Sequence, residues 1–222
     1  MTALPDAAAL AAGLPHVLAA PRTDGPVRLL CLRPRHNQRR FPDRLTLTRA
    51  AGVEGDCEAE SPWLTLPDGS PDPQTQVSIL PARVLDLVWP GRDAKVHPGD
   101  NIVADLDLSH ANLHAGALLR AGTAILRVSA EPNDGCAKWK VRCGTAAYDW
   151  VRARPHVPYR LRGLFCSVER DGVVALGDTL SPLCQRPERS ADQDRLHPDR
   201  RHPAPGAARN PSPRPAVTAL SP

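Results

Sequence analysis

One turn in this chain delivers a thiol into positive surroundings. The run E-P-N-D-G-C-A-K-W-K spans Glu131 to Lys140. Pro132, Asn133, Asp134 and Gly135 supply turn chemistry, because Pro fixes φ while Gly and Asn accept φ > 0. Cys136 follows directly, with Lys138, Lys140 and Arg142 close behind. Cationic neighbours favour a thiolate over a thiol, and the thiolate is the form that attacks electrophiles or binds soft metals. Cys136 is therefore the first candidate for a catalytic residue and for a metal ligand.

A second group, Lys138, Lys140, Arg142, Arg160 and Arg162, has the charge to hold an anion. Arginine grips phosphate through paired donors, whereas lysine offers a point charge. Lys138 and Arg162 are the foremost of these. Arg162 precedes Gly163, where a missing side chain admits close approach of a ligand or a strand. Asp56 and Asn101 stand near glycines, where such residues either orient a ligand by hydrogen bonds or stabilise a turn. Asp178 reads as structural. His110 and His114 have a metal-ligand spacing only on a helix, and Gly116 argues for a loop. The chain has six cysteines and no C-x-x-C pair, so neither a zinc ribbon nor a disulfide scaffold is expected. The five cysteines other than Cys136 read as buried, reduced thiols. Cys136 and Cys143 do not have a redox-motif spacing.

Short strands must position these residues. Strand composition or period-two alternation marks Val27 to Leu32, Leu45 to Thr48, Gln76 to Leu80, Asn101 to Asp105, Leu118 to Arg120, Ala124 to Ala130, Leu164 to Glu169 and Val173 to Leu176. Arg170-Asp171-Gly172-Val173 reads as a tight hairpin. A short helix is expected from Pro81 to Val88 with Pro at its first position. One or two more are expected between Cys136 and Arg154, and a helix from Thr2 to Ala20 is expected to break near Pro15. Many short strands with frequent turns argue for a mostly β protein with a few short helices, a barrel or sandwich.

Composition divides the 222 residues. Residues 1–26 read as a helical or extended segment and 27–183 as one β domain. Residues 184–222, rich in Pro and Arg with almost no large apolar side chains, read as a disordered tail. The net charge of +4 is modest and aromatics are only 4%, which argues against a nucleic-acid partner that stacks bases on aromatic platforms. The Ala/Leu-rich N-terminus lacks a basic leader region, and no apolar run is long enough to span a bilayer. The expectation is a cytoplasmic protein with no membrane partner.

Several strings occur in an order that resembles the MOSC domain family, named for the C-terminal domain of molybdenum-cofactor sulfurases. They are G-V-E-G-D at Gly52, D-P-Q-T-Q-V-S-I-L at Asp72, P-G-D-N-I-V-A-D-L-D-L-S at Pro98 and N-L-H-A-G-A-L-L-R-A-G-T-A-I-L-R-V at Asn112. E-P-N-D-G-C-A-K-W-K-V-R-C-G, R-L-R-G-L-F-C-S-V-E and G-V-V-A-L-G-D-T-L complete the series. The resemblance is to the small stand-alone bacterial type. It implies a barrel similar to the one inserted in pyruvate kinase. It also implies binding of a molybdenum cofactor (molybdopterin) or sulfur carriage on Cys136, with reductive or sulfur-transfer chemistry on a small molecule. At the level of the family alone it includes pyridoxal phosphate binding. A sulfur donor or an electron-transfer protein would be the implied partner. Lys138, Arg142, Arg162, Asp56, Asn101 and Asn133 are the implied cofactor-binding residues, and Cys136 the implied ligand to molybdenum.

Two departures stand out. The family often continues G-D-R-H where this chain has Gly55-Asp56-Cys57-Glu58, so other residues must take the place of that Arg and His. The extra N-terminal β domain of the amidoxime-reducing relatives is not expected, since about 26 residues precede the first strand. The rival expectation is a non-catalytic module that binds a small anionic ligand in the barrel pocket.

Overall fold

The computed structural model describes residues 3–91 and 97–183. The expected tail at 184–222, with Cys184, lies outside the described residues. Ten strands form: β1 (Gly25–Leu30), β2 (Arg44–Thr48), β3 (Gly52–Val53), β4 (Val77–Pro81), β5 (Ile102–Ala104), β6 (Leu118–Ala121), β7 (Ala124–Val128), β8 (Leu164–Arg170), β9 (Gly172–Ala175) and β10 (Thr179–Pro182). Seven close into a barrel in the order β1-β10-β6-β7-β8-β4-β5, while β3-β2-β9 make a separate small sheet. All barrel neighbours are antiparallel except β4 and β5.

Alternation explains which side chains fill the barrel. Val77 and Ile79 of β4, Leu119 and Ala121 of β6, and Leu126 and Val128 of β7 are buried in one core with Val27, Leu164, Cys166 and Leu180. Leu45, Leu47, Val53 and Val174 of the small sheet join the same core. Each such aliphatic side chain contributes roughly 1.5–3 kcal/mol by leaving water.

A parallel pair needs a crossover, and α2 (Ala82–Val88) lies on that path between β4 and β5. Leu80 and Val103, the alternate residues of β4 and β5, face a second core with α2, α1 (Ala7–Leu18), α3 (Ala137–Cys143) and α4 (Thr145–Arg152). Leu10, Leu85, Trp139, Cys143, Trp150 and Leu161 fill it. No helix among the described residues is long and apolar enough to cross a membrane.

Three expectations change. First, α1 does not break at Pro15, which lies inside it. Asp6 caps the helix by accepting from the Ala9 N–H at 2.8 Å, and Val17, beyond the proline, is buried in the helical core. That burial holds the last turn despite the missing donor. Second, Asp171-Gly172 is not a hairpin turn. β8 pairs with β4 and β7, whereas β9 pairs with β2. The dipeptide instead hands the chain from the barrel to the small sheet, and Asp171 Oδ1 accepts from the Arg49 N–H at 2.9 Å. Third, Pro81 ends β4 and caps α2, one position before the helix proper.

Candidate active site

The thiol turn is braced from both ends. After β7, Ser129 Oγ accepts from the Glu131 N–H at 2.9 Å and pairs with Gln74 Oε1 at 3.2 Å. Arg152 of α4 holds Asp134 at 2.8 Å. Gly135 passes over the Tyr148 ring, and the Cys136 carbonyl accepts the first bonds of α3, from the Trp139 and Lys140 N–H groups. Cys136 is half-buried and lines a cleft of ≈ 480 Å³, within the ~300–1,000 Å³ usual for small-molecule sites.

Four of the other candidates share that cleft: Asn133, Lys138, Arg142 and Arg162. Lys138 is exposed. Arg142 donates to the Pro98 carbonyl at 3.4 Å and to Asn37 Oδ1 at 3.2 Å. Arg162 is buried, pairs with Asp100 at 2.7 Å and lies over the Trp139 ring. Lys140 sits instead over Tyr148, and Arg160 donates to the Leu113 carbonyl in a second cavity. Gly163 makes room for a strand and not for a ligand: at φ +92 a Cβ there would collide with the Ile79 carbonyl oxygen.

Asp56 and Asn101 lie behind the cleft and do not line it. Asp56 accepts from the Arg33 backbone N–H at 2.9 Å and from its Nη2 at 2.8 Å. Asn101 donates to Asp56 at 3.1 Å, while its own oxygen accepts from the Ser78 N–H and hydroxyl. The chain Ser78–Asn101–Asp56 thus fixes Arg33, whose side chain reaches the cleft. Sequence reasoning missed Arg33, Arg39, Cys57, Glu58 and Trp63, all of which line it. Glu58 accepts from the Trp63 N–H at 2.6 Å and pairs with Arg33 at 3.5 Å. At the position where the family often has His, this chain has an internal brace.

The thiols separate by burial. Cys31, Cys143 and Cys166 are buried, whereas Cys57 and Cys136 are partly exposed. Burial pushes the Cys31 and Cys143 thiols up to about 12 and raises Cys166 as well. Burial and then the Asp56 charge raise Cys57. Behind the cleft, His97 is fully buried and sits edge-on to Trp89 and Phe41. Its Nδ1 accepts from the Gly99 N–H at 3.0 Å, and burial pushes its pKa down to about 4.

Polar atoms without partners collect at the cleft. Among the described residues, seven buried side-chain polar atoms lack a hydrogen bond, and Arg39 Nε, Arg162 Nε, Asn133 Nδ2 and Asp100 Oδ2 belong to cleft residues. Buried polar groups are normally satisfied, so the three donors among them, on Arg39, Arg162 and Asn133, mark where a ligand's acceptors would go. A second cavity of ≈ 280 Å³ backs the same turn, sharing Asn133, Asp134 and Arg162 as a common wall.

Residues 87–181 match the family model of the MOSC domain. Over that span the chain is similar to the MOSC domain. Similar solved structures include YiiM from Escherichia coli, 20% identical and covering 73% of this chain and 70% of that one at a TM-score of 0.48. The YuaD protein from Bacillus subtilis is 19% identical, covering 70% and 93% at 0.48. YiiM from Geobacillus stearothermophilus is 16% identical, covering 74% of each chain at 0.43. No curated protein matches the chain.

The donor set of the cleft suits a molybdenum-pterin group in one respect and constrains it in another. Unpaired N–H donors on Arg39, Arg162 and Asn133 suit an anionic cofactor. Among the described residues, no group of three or more His, Cys, Asp or Glu side chains could hold a metal ion. A metal held there would draw its ligands from a bound group, with Cys136 the cleft thiol in a position to add one more.

Proposed function

We propose that the cleft of this chain receives an anionic cofactor of the molybdenum-pterin class, and that Cys136 is the thiol that meets it. The observation that supports this most is the meeting of a partly exposed thiol with unpaired cationic donors in one cleft. When bound, such a cofactor would supply a redox-active metal held by two sulfurs of its own. Cys136 would add a sulfur, Arg39 and Arg142 would hold negative charge, and Asn133 would donate a hydrogen bond. Buried Arg162, anchored on Asp100, would keep the wall of the cleft in place.

Metal and pterin analysis of protein from a molybdate-replete host tests the reading. Both are expected in the wild type and are lost in Cys136→Ser. The same thiol supports sulfur carriage: Cys136 takes a sulfane sulfur from a donor persulfide, and the donor leaves as a thiol. Intact-mass analysis would then find one extra sulfur atom on Cys136. Protein that carries neither metal nor extra sulfur overturns both forms. The unpaired donors alone favour the second reading, a binding module for a small anion whose affinity does not depend on the thiol.

A further inference from the structure

The cleft has more positive charge than its own carboxylates engage. Three carboxylates line it, those of Glu58, Asp100 and Asp134. Each already has a partner: Arg33 takes Glu58, Arg162 takes Asp100 and Arg152 takes Asp134. Arg35, Arg39, Lys138 and Arg142 also line the cleft, and none of them has an ion-pair partner among the described residues. Arg35 and Lys138 are exposed, whereas Arg39 and Arg142 are half-buried.

Arg39 and Arg142 converge on one bare stretch of backbone. Arg142 Nη1 donates to the Pro98 carbonyl at 3.4 Å, and its Nη2 to Asn37 Oδ1 at 3.2 Å. On the neighbouring residue, a Cβ at Gly99 would lie 3.4 Å from Arg39 Nη2 and 3.6 Å from Arg39 Nε. Gly99 has φ +98, a conformation that favours glycine, and its missing side chain leaves the Arg39 guanidinium, with Arg33 Cδ beside it, close to the bare backbone. Arg39 Nε is buried with no acceptor, and a buried donor left unmatched is destabilising. Burial and then the Arg142 charge lower the Arg39 pKa, as expected for two like charges held close together.

We propose that Arg39 and Arg142 form a two-arginine seat for the phosphate of a phosphomonoester, built against the Pro98-Gly99 backbone. The proposal rests on the cleft being the ligand site. An anion relieves both the like-charge repulsion and the unmatched donor. A phosphate dianion has enough oxygens to engage two guanidinium forks, whereas a carboxylate has only two and fills one fork.

Calorimetric titration of the full chain, produced in a host that makes no molybdenum cofactor, with inorganic phosphate and with phenyl phosphate tests the seat. The wild type is expected to bind both. Arg39→Gln and Arg142→Gln are each expected to weaken binding about tenfold, the effect of removing one charge-assisted contact of ~1.5 kcal/mol. Tighter binding of phenyl phosphate identifies an ester as the natural occupant, and equal binding a free phosphate ion. A phosphate-dependent rise in the wild-type melting temperature, absent with chloride at equal ionic strength, supports the seat without any variant. No binding of either probe overturns it, as does normal affinity in both natively folded glutamine variants. Phosphate binding, with wild type still metal-free and sulfur-free when it comes from the molybdate-replete host, overturns the cofactor reading but keeps the seat. Cofactor in protein from the molybdate-replete host, together with normal phosphate affinity in both cofactor-free glutamine variants, overturns the seat but keeps the thiol reading.

Discussion

The two cavities on either side of the thiol turn share a wall and differ in how their cations are engaged. In the rear cavity Arg152 is tied to Asp134, and Arg160 donates to the Leu113 carbonyl. In the front cleft Arg39 and Arg142 have no carboxylate partner among the described residues, and Arg39 Nε has no acceptor at all. Both cavities are basic and share the unpaired nitrogens of Asn133 and Arg162 on their common wall, yet among the described residues the front one adds the unmatched Arg39 Nε and the Cys136 thiol. Positive charge by itself does not mark a site; unmatched donors do.

The comparison breaks most visibly at the shared wall. Arg162→Ala would leave Asp100 buried and uncompensated, so unfolding by urea should show a loss of roughly 3–5 kcal/mol. A loss under about 1 kcal/mol, as for an exposed pair, would mean that water reaches this pair and that the wall is not closed. Ligand loss in that variant would therefore not identify a contact.

His97 behind the front cleft sharpens the same contrast through pH. Its folded pKa of about 4 lies below the ordinary 6.5. Between those values the unfolded chain takes up a proton that the folded chain refuses. Stability is thus full above pH ~6.5 and falls as pH drops toward about 4, by roughly 2–4 kcal/mol in all. His97→Asn should flatten that part of the urea-midpoint profile, and an unchanged slope would remove His97 as its cause.

The smallest effect belongs to the rear cavity. Arg152→Ala breaks a largely exposed pair and should cost under ~1 kcal/mol without changing phosphate affinity. Tenfold weaker phosphate binding in this variant would erase the distinction between the cavities.

Parts of this arrangement are legible in the sequence. Period-two alternation locates β2, β4, β7 and β8, because each has one face in the barrel core. The turn ahead of Cys136 is legible because Pro132 and Gly135 can do little else. β10 is missed: T-L-S-P is short and ends in proline, and its strand character comes from pairing with β1 and β6. Asp56 and Asn101 look like ligand contacts because they adjoin glycines, and only the fold reveals that Arg33 and Ser78 occupy them. Arg39 carries no local signal within L-R-P-R-H-N-Q-R-R. Its role depends on Gly99 and Arg142, which are remote in sequence.

Barrel closure has a kinetic consequence. Gly25 of β1 pairs with Leu180 of β10, while the other edge of β1 pairs with β5. Contacts between such distant positions incur the loop-closure entropy before any of them stabilises the chain, which places folding among slow, high-contact-order topologies. Arg33 and Arg39 follow β1 directly, whereas Arg142 and Cys136 follow β7. The thiol and its arginines therefore meet only once the first strand has found its place. During synthesis, the cleft is among the last parts of the molecule to come into being.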